Sequence, residues 1–189
     1  FECRSVDTLL AFGNQGRVYS VPVSSLPGAR GDGQPVTTLI DLEPGTQLAY
    51  YFAGPAAATL LLSGSGGYGF IASIENMTSR LKAGKAFISC ADGETVNAPS
   101  PVAGVVGVVP LPPATHVACA SVGGRILTFP IEQLNTMANG GRGLKLIDLE
   151  AKDTLAGAAA YTRSVRIAGI GRGGKAREET LEIRSLNNA

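Results

Sequence analysis

The sequence has no tryptophan, two methionines and one histidine among its 189 residues, whereas glycine and proline number 25 and 11. Glycine and proline both interrupt helices, so this balance disfavours a helical bundle. Valine, threonine and isoleucine recur in short runs separated by glycine and proline, which is the pattern of many short strands. The composition therefore predicts an all-β fold, in a chain long enough to bury a core.

Cysteine is also scarce, with Cys3, Cys90 and Cys119 far apart in the chain. This spacing suits neither a disulfide framework nor a zinc site with paired ligands. We expect reduced, buried thiols in a cytoplasmic protein.

No segment is long and apolar enough to span a bilayer. The most apolar stretch, "PVAGVVGVVPLPP" at residues 101–113, is too short and too rich in proline, and we interpret it as a buried strand followed by a rigid connector. The sequence starts at Phe1 and shows no charged segment leading into an apolar one. We therefore expect part of a longer polypeptide without a signal peptide.

Groups of catalytic residues are absent as well. His116 lies in "ATHVACA", a strand pattern in which a core or turn histidine is the favoured interpretation. Glu178 and Glu179 are adjacent, so on a strand they would face opposite ways. With no metal-ligand cluster or phosphate-binding P-loop motif, the sequence predicts a chain that has no catalytic residues, metal site or cofactor of its own.

Glycine is abundant, and six glycines form two G-x-G-x-x-G matches, at Gly64, Gly66 and Gly69 and at Gly169, Gly171 and Gly174. In a dinucleotide site this motif leads into a helix. Here a β-branched and aromatic run follows the first match and a charged segment follows the second. Both are interpreted as hairpin turns, and a nucleotide-binding enzyme is the weaker alternative.

The hairpin pattern repeats along the chain. "GRVYSVPVSSL", "GYGFIASIENM" and "GRILTFPIEQL" begin at Gly16, Gly67 and Gly124, and a further glycine follows each of these by 17 residues, at Gly33, Gly84 and Gly141. The pentapeptide "LIDLE" occurs at residues 39–43 and 146–150. A period of about 50 residues built from short strands is typical of sheet blades stacked around a centre. A fourth, incomplete copy begins near Ser164, so about four blades are represented, and ring closure is left open.

Charge is small in total but unevenly distributed. The net charge is +1, and residues 121–189 hold ten basic and seven acidic side chains against three and five in residues 1–60. Basic residues accompany the repeated glycines, which predicts cations at equivalent places around one perimeter, suited to a DNA backbone. The alternative is that these basic residues merely keep the turns soluble. The candidate DNA-binding residues are Arg17, Arg30, Arg80, Lys82, Lys85, Arg125, Arg142, Lys145, Arg172, Lys175 and Arg177.

Two motifs then carry a family resemblance. "SLP-x-ARG-x-G-x-P" occurs from Ser25 to Pro35 and "AGKA" from Ala83 to Ala86. With the repeats, they make the chain resemble the C-terminal domain of the A subunit of bacterial topoisomerase IV from Thr8 to about Leu186. The resemblance implies one β-pinwheel domain over residues 1–189, with four-stranded blades, strand exchange between neighbours and duplex DNA bent along the outer edge.

The resemblance also implies partners and limits. The whole enzyme is an ATP-dependent type IIA topoisomerase that uses ATP and Mg²⁺ outside this domain. We therefore expect as partners DNA, the ATPase B subunit and the catalytic core of the chain's own subunit, with no small-molecule substrate. The related domain of gyrase carries a Gln-Arg-Arg-Gly-Gly-Arg-Gly box that allows strong DNA wrapping. "ANGGRG" at residues 138–143 lacks the leading basic pair of that box, which disfavours gyrase-like wrapping of DNA. A propeller scaffold that binds protein segments is the alternative function.

Overall fold

The structure is a computed structural model that describes residues 2–28, 31–106, 109–171 and 174–182. These residues form short antiparallel strands in four sheets, as an all-β fold requires. The strand bounds are β1 (Thr8–Gly13), β2 (Arg17–Pro22), β3 (Leu48–Gly54), β4 (Thr59–Ser63), β5 (Tyr68–Ser73), β6 (Lys85–Ala86), β7 (Ser100–Val106), β8 (Val109–Leu111), β9 (His116–Ser121), β10 (Ile126–Pro130), β11 (Leu144–Lys145), β12 (Leu155–Tyr161), β13 (Ser164–Ile170) and β14 (Ala176–Glu182).

Four hairpins share one turn geometry. They are β1–β2, β4–β5, β9–β10 and β13–β14, and each turn ends in a glycine with φ between +75° and +92°. That glycine donates its N–H to the residue three positions earlier, at 3.0–3.1 Å. A left-handed glycine closing a three-residue loop is a common hairpin turn, so both G-x-G-x-x-G matches are confirmed as turns. The four glycines are Gly16, Gly67, Gly124 and Gly174.

Neighbouring repeats exchange strands. After its hairpin, the second repeat returns to the first sheet, where β6 pairs with β2, and the third repeat returns to the second sheet, where β11 pairs with β5. The sheet orders are β3-β1-β2-β6 and β11-β5-β4-β7-β8. We call residues 78–86 and 138–145, which end in these strands, the return segments.

The strand register corrects one detail of the repeat. Val18 pairs with Lys85, and its counterpart Gly69 pairs with Leu144. The structural equivalent of Gly84 is therefore Gly143, two residues beyond the Gly141 expected from the constant spacing. The third repeat therefore has two extra residues between its turn glycine and this matching point.

Apolar layers lie between successive sheets. The middle strand β4 is buried on both faces: Leu60 and Leu62 pack toward the first sheet with Leu10, whereas Leu61 packs toward the third with Val117. A strand covered on both faces has a continuous apolar sequence, which explains "TLLL". Burial of one such leucine contributes about 2 kcal/mol, so these layers join the repeats into one stack.

The helices in the described residues are short, and one expectation about a strand needs correction. Ile74–Met77 form one short helix, α1, and Ile131–Gln133 form a 3-10 turn. Neither could cross a membrane, and the described residues contain no other helix long enough to do so. The apolar stretch at 101–113 is only partly buried: its described residues contribute to β7 and β8, where Val102 is buried but Val106 and Val109 are exposed at a sheet edge.

Candidate nucleic-acid interface

The position immediately after each turn glycine is the most regular feature of the charged surface. Arg17, Tyr68, Arg125 and Lys175 occupy it in chain order. Three of the four are cations, and their shared place in the turn puts them at matching points of successive hairpins. Arg17 and Tyr68 are the first residues of β2 and β5, and Arg125 and Lys175 immediately precede β10 and β14.

At the first turn, the cation comes from the hairpin itself. Arg17 Nε donates to Glu43 Oε2 at 2.7 Å, and its Nη1 donates to the carbonyl of Ala83 at 3.1 Å. Ala83 belongs to the return segment, so Arg17 joins its own repeat to the next one. Glu43 is the last residue of the first copy of the repeated pentapeptide "LIDLE".

At the second turn, the cation comes from the neighbouring repeat. The guanidinium carbon of Arg142 lies 4.3 Å from the centre of the Tyr68 ring, and its Nη2 donates to Glu94 Oε1 at 2.7 Å. By register Arg142 is the counterpart of Ala83. One guanidinium therefore lies at each junction, although opposite sides of the junction supply it.

The third turn repeats the first. Arg125 forms an ion pair with Glu150, the last residue of the second "LIDLE". Asp153 Oδ1 accepts the N–H of Gly123 at 2.8 Å. The side chain of Ser121 and that N–H, together with the nearby Arg125, lower the pKa of Asp153 below its usual value.

The return segments carry further cations, at positions that are not equivalent. Lys85 donates to the carbonyl of Asn76 and lies 5.3 Å from the centre of the Phe87 ring. Arg80 and Lys82 are exposed and form no ion pair with the described residues. Lys145 donates to Asp148 at 2.9 Å, a contact that raises the pKa of Lys145 and lowers that of Asp148.

The fourth hairpin is the most exposed part of this surface. Lys175 and Arg177 are exposed, and neither forms an ion pair within the described ranges. Arg166 pairs with Glu178 at 2.9 Å. Arg30 and Arg172, the remaining two candidates, lie outside the described residues.

Acidic partners are what the sequence reasoning missed. Glu43, Glu94, Asp148 and Glu150 each hold one of the candidate cations. A signal was present for three of them, because the repeated "LIDLE" ends in Glu43 and Glu150 and its second copy contains Asp148. Glu94 follows no repeat that the sequence displays.

Features expected of an enzyme site are sparse in the described part of the chain. The Nδ1 atom of His116 lies 2.9 Å from its neighbour's hydroxyl, Thr115 Oγ1. Cys119 is buried, which raises the pKa of its thiol to about 12, and the three cysteines are free. No group of three or more histidine, cysteine, aspartate or glutamate side chains there is placed to hold a metal ion.

Comparison with known proteins gives consistent matches. The model of the family described as "DNA gyrase C-terminal domain, beta-propeller" matches residues 7–45 and 115–161. The A subunit of DNA topoisomerase 4 from Neisseria gonorrhoeae is 37% identical over 170 residues, covering 89% of this chain and 22% of that protein. Its equivalent from Haemophilus influenzae is 32% identical over 148 residues, covering 78% and 19%.

Among solved structures, the C-terminal domain of Escherichia coli ParC superposes with a TM-score of 0.80 at 26% identity, covering 98% of this chain and 73% of that one. The chain belongs to the family of C-terminal domains found in the gyrase and topoisomerase IV A subunits. A gyrase A C-terminal domain, with a TM-score of 0.68 at 17% identity over 96% of this chain and 56% of that one, shows the same fold. The β-pinwheel expectation is confirmed, with the strand exchange seen in β6 and β11.

The family match falls on particular repeats. Residues 7–45 and 115–161 contain the first and third hairpins together with Glu43 and Glu150. These are the two repeats in which the cation after the turn and the last glutamate of "LIDLE" form an ion pair. The chain spans about a fifth of the length of the curated family members it matches.

Proposed function

We propose that this chain is a noncatalytic DNA-binding domain from the A subunit of a type IIA topoisomerase, and that duplex DNA follows the line of turns and return segments. One observation carries the proposal: each of the four turns has a cation beside it. At the second turn this is Arg142 over Tyr68, and at the others it is Arg17, Arg125 and Lys175.

The chemistry of this line suits the DNA backbone better than base edges. Guanidinium and ammonium groups bind phosphate oxygens without reading sequence. The cations without a carboxylate partner among the described residues supply the excess positive charge: Arg80, Lys82, Lys85, Lys175 and Arg177. We expect modest, salt-sensitive binding with little sequence preference.

Bending of the duplex follows if successive turns engage the same DNA molecule. Cations at successive stacked repeats would hold the backbone along a curved path, and the energy of bending would be offset by the added phosphate contacts. In the holoenzyme, we propose that the domain presents a second DNA segment to the catalytic core, while ATP and Mg²⁺ act in other parts of the enzyme with the B subunit.

The direct test is fluorescence anisotropy with a labelled linear duplex over a series of salt concentrations. Each lost phosphate contact should reduce the slope of log K against log salt by about 0.9. We expect this reduction for Lys175→Gln and for Arg125→Gln, with weaker binding to every sequence tried. Arg163→Gln is the matched control, because Arg163 is exposed and lies outside the proposed line.

The test has three informative results. A loss of DNA affinity confined to the two turn variants supports the proposal. An equal loss in all three variants would show that binding depends on overall charge rather than on the proposed line. Wild-type protein that binds no DNA at low salt would contradict the proposal and favour the scaffold alternative. Faster circularisation of duplexes shorter than the persistence length of about 150 base pairs would test bending separately.

A further inference from the structure

In the first three repeats, the arginine after the turn and the glutamate that ends "LIDLE" are either both present or both absent. The loops after the hairpins are aligned by their hydrogen bonds: the N–H of Thr46, Glu94 and Asp153 donates to the carbonyl three residues earlier, which belongs to Glu43, Ala91 and Glu150. The first and third repeats thus have arginine with glutamate at the two positions. The second has Tyr68 with Ala91.

The two ion pairs are exposed. The Glu43 side chain is 53% exposed and that of Arg17 27%, and for Glu150 and Arg125 the values are 68% and 53%. Exposed pairs of this kind contribute little to the stability of the fold. A carboxylate and a phosphate offer guanidinium the same kind of charged oxygen acceptor.

We propose that Glu43 and Glu150 set the affinity of the line of turns for DNA, because each carboxylate occupies its arginine in the place that a phosphate would take. This inference rests on the proposed function, and it adds that the two glutamates lower the affinity for DNA. Phosphate binding then requires that the arginine leave its glutamate, which lowers affinity and keeps the contact reversible. The second repeat is different, because Arg142 is also held by the Tyr68 ring and by the more buried Glu94, which is 20% exposed.

The experiment measures DNA affinity for Glu43→Gln and Glu150→Gln by anisotropy at one fixed salt concentration. If opening the ion pair costs up to about 1 kcal/mol, each substitution should tighten binding by up to about fivefold. Glu132→Gln is the control: it removes one negative charge from an exposed position that has no ion pair among the described residues.

A double-mutant cycle separates release of an arginine from simple loss of repulsion. If Glu43 acts through Arg17, the gain from Glu43→Gln should vanish in an Arg17→Ala background. A gain that persists there, or an equal gain in Glu132→Gln, overturns the inference, as does unchanged affinity in both glutamine variants. Wild-type protein that does not bind DNA overturns the proposed function as well, so the two failures are distinguishable.

Discussion

The first and second hairpins share a backbone geometry, but the cation beside each turn comes from a different side of the junction between repeats. Both turns receive a return segment from the next repeat, and the return backbone donates to the turn glycine in each: Ile88 N–H to Gly16 at 2.9 Å and Leu146 N–H to Gly67 at 2.7 Å. Yet the guanidinium beside the first turn is the hairpin's own Arg17, and beside the second it is Arg142 of the next repeat. Both junctions therefore have a guanidinium at the same place, although it is supplied by the hairpin in one and by the next repeat in the other.

The third turn extends the comparison. No described strand pairs with the free edge of its hairpin, and the side chain of Asp153 holds the N–H of Gly123. At the first two turns a neighbouring backbone provides the support, whereas at the third a carboxylate contributes it. Stability at the third turn should therefore depend on pH and on single side chains more than at the others.

The largest expected effect comes from blocking a return segment. Gly143 has φ +81°, and a Cβ there would lie 2.1 Å from the carbonyl oxygen of Gly69. Gly143→Ala should lower the free energy of unfolding by more than about 3 kcal/mol, through backbone strain and displacement of β11. Urea denaturation measures it.

Gly45→Ala is the matched control for that substitution. Gly45 has φ +80°, and a Cβ added there would meet no atom within 4 Å, so this variant should lose only the conformational term of about 1 kcal/mol. Equal losses of unfolding free energy for the two variants would show that the close approach of the return segment adds nothing to the cost of the substitution.

A smaller effect should separate the two kinds of junction cation. Arg142→Ala removes both the contact with Tyr68 and the ion pair with Glu94, and we expect a loss of about 1–2 kcal/mol. Arg125→Ala removes one exposed pair and should cost about 0.5 kcal/mol or less. Urea denaturation of both variants checks this order, and a larger loss of stability for Arg125→Ala would contradict the prediction that Arg142 is held more firmly than Arg125.

The smallest effect concerns pH at the third turn. Because the pKa of Asp153 is lowered in the folded protein, its stabilising contribution is present above the ordinary aspartate pKa of about 3.9 and is lost as pH falls through the folded value. Hydrogen exchange at the Gly123 amide should accelerate in that acidic window, relative to the intrinsic rate, more than at Gly16 or Gly67. Asp153→Asn should remove the difference, and an unchanged pH profile would count against it.

Local conformational preference made much of the fold predictable. Glycine is favoured at the left-handed positions of the turns, so Gly16, Gly67 and Gly124 marked three hairpins in the bare sequence. Short β-branched runs between them predicted the strands, and the period of about 50 residues predicted stacked sheet units. The same pattern revealed Arg17 and Arg125, which adjoin turn glycines, and Arg142, which lies between Gly141 and Gly143.

Partners distant in sequence could not be predicted in this way. Arg17 meets Glu43 and Arg142 meets Glu94 across separations of 26 and 48 residues, and no local preference fixes such contacts. The sequence by itself determined the turns, the strands and the repeating cations, since each depends on neighbouring residues. Only the tertiary structure decided which acid neutralises which distant cation, because folding alone brings those side chains together: the loop after the first hairpin places Glu43 on Arg17, and strand exchange places Arg142 near Glu94.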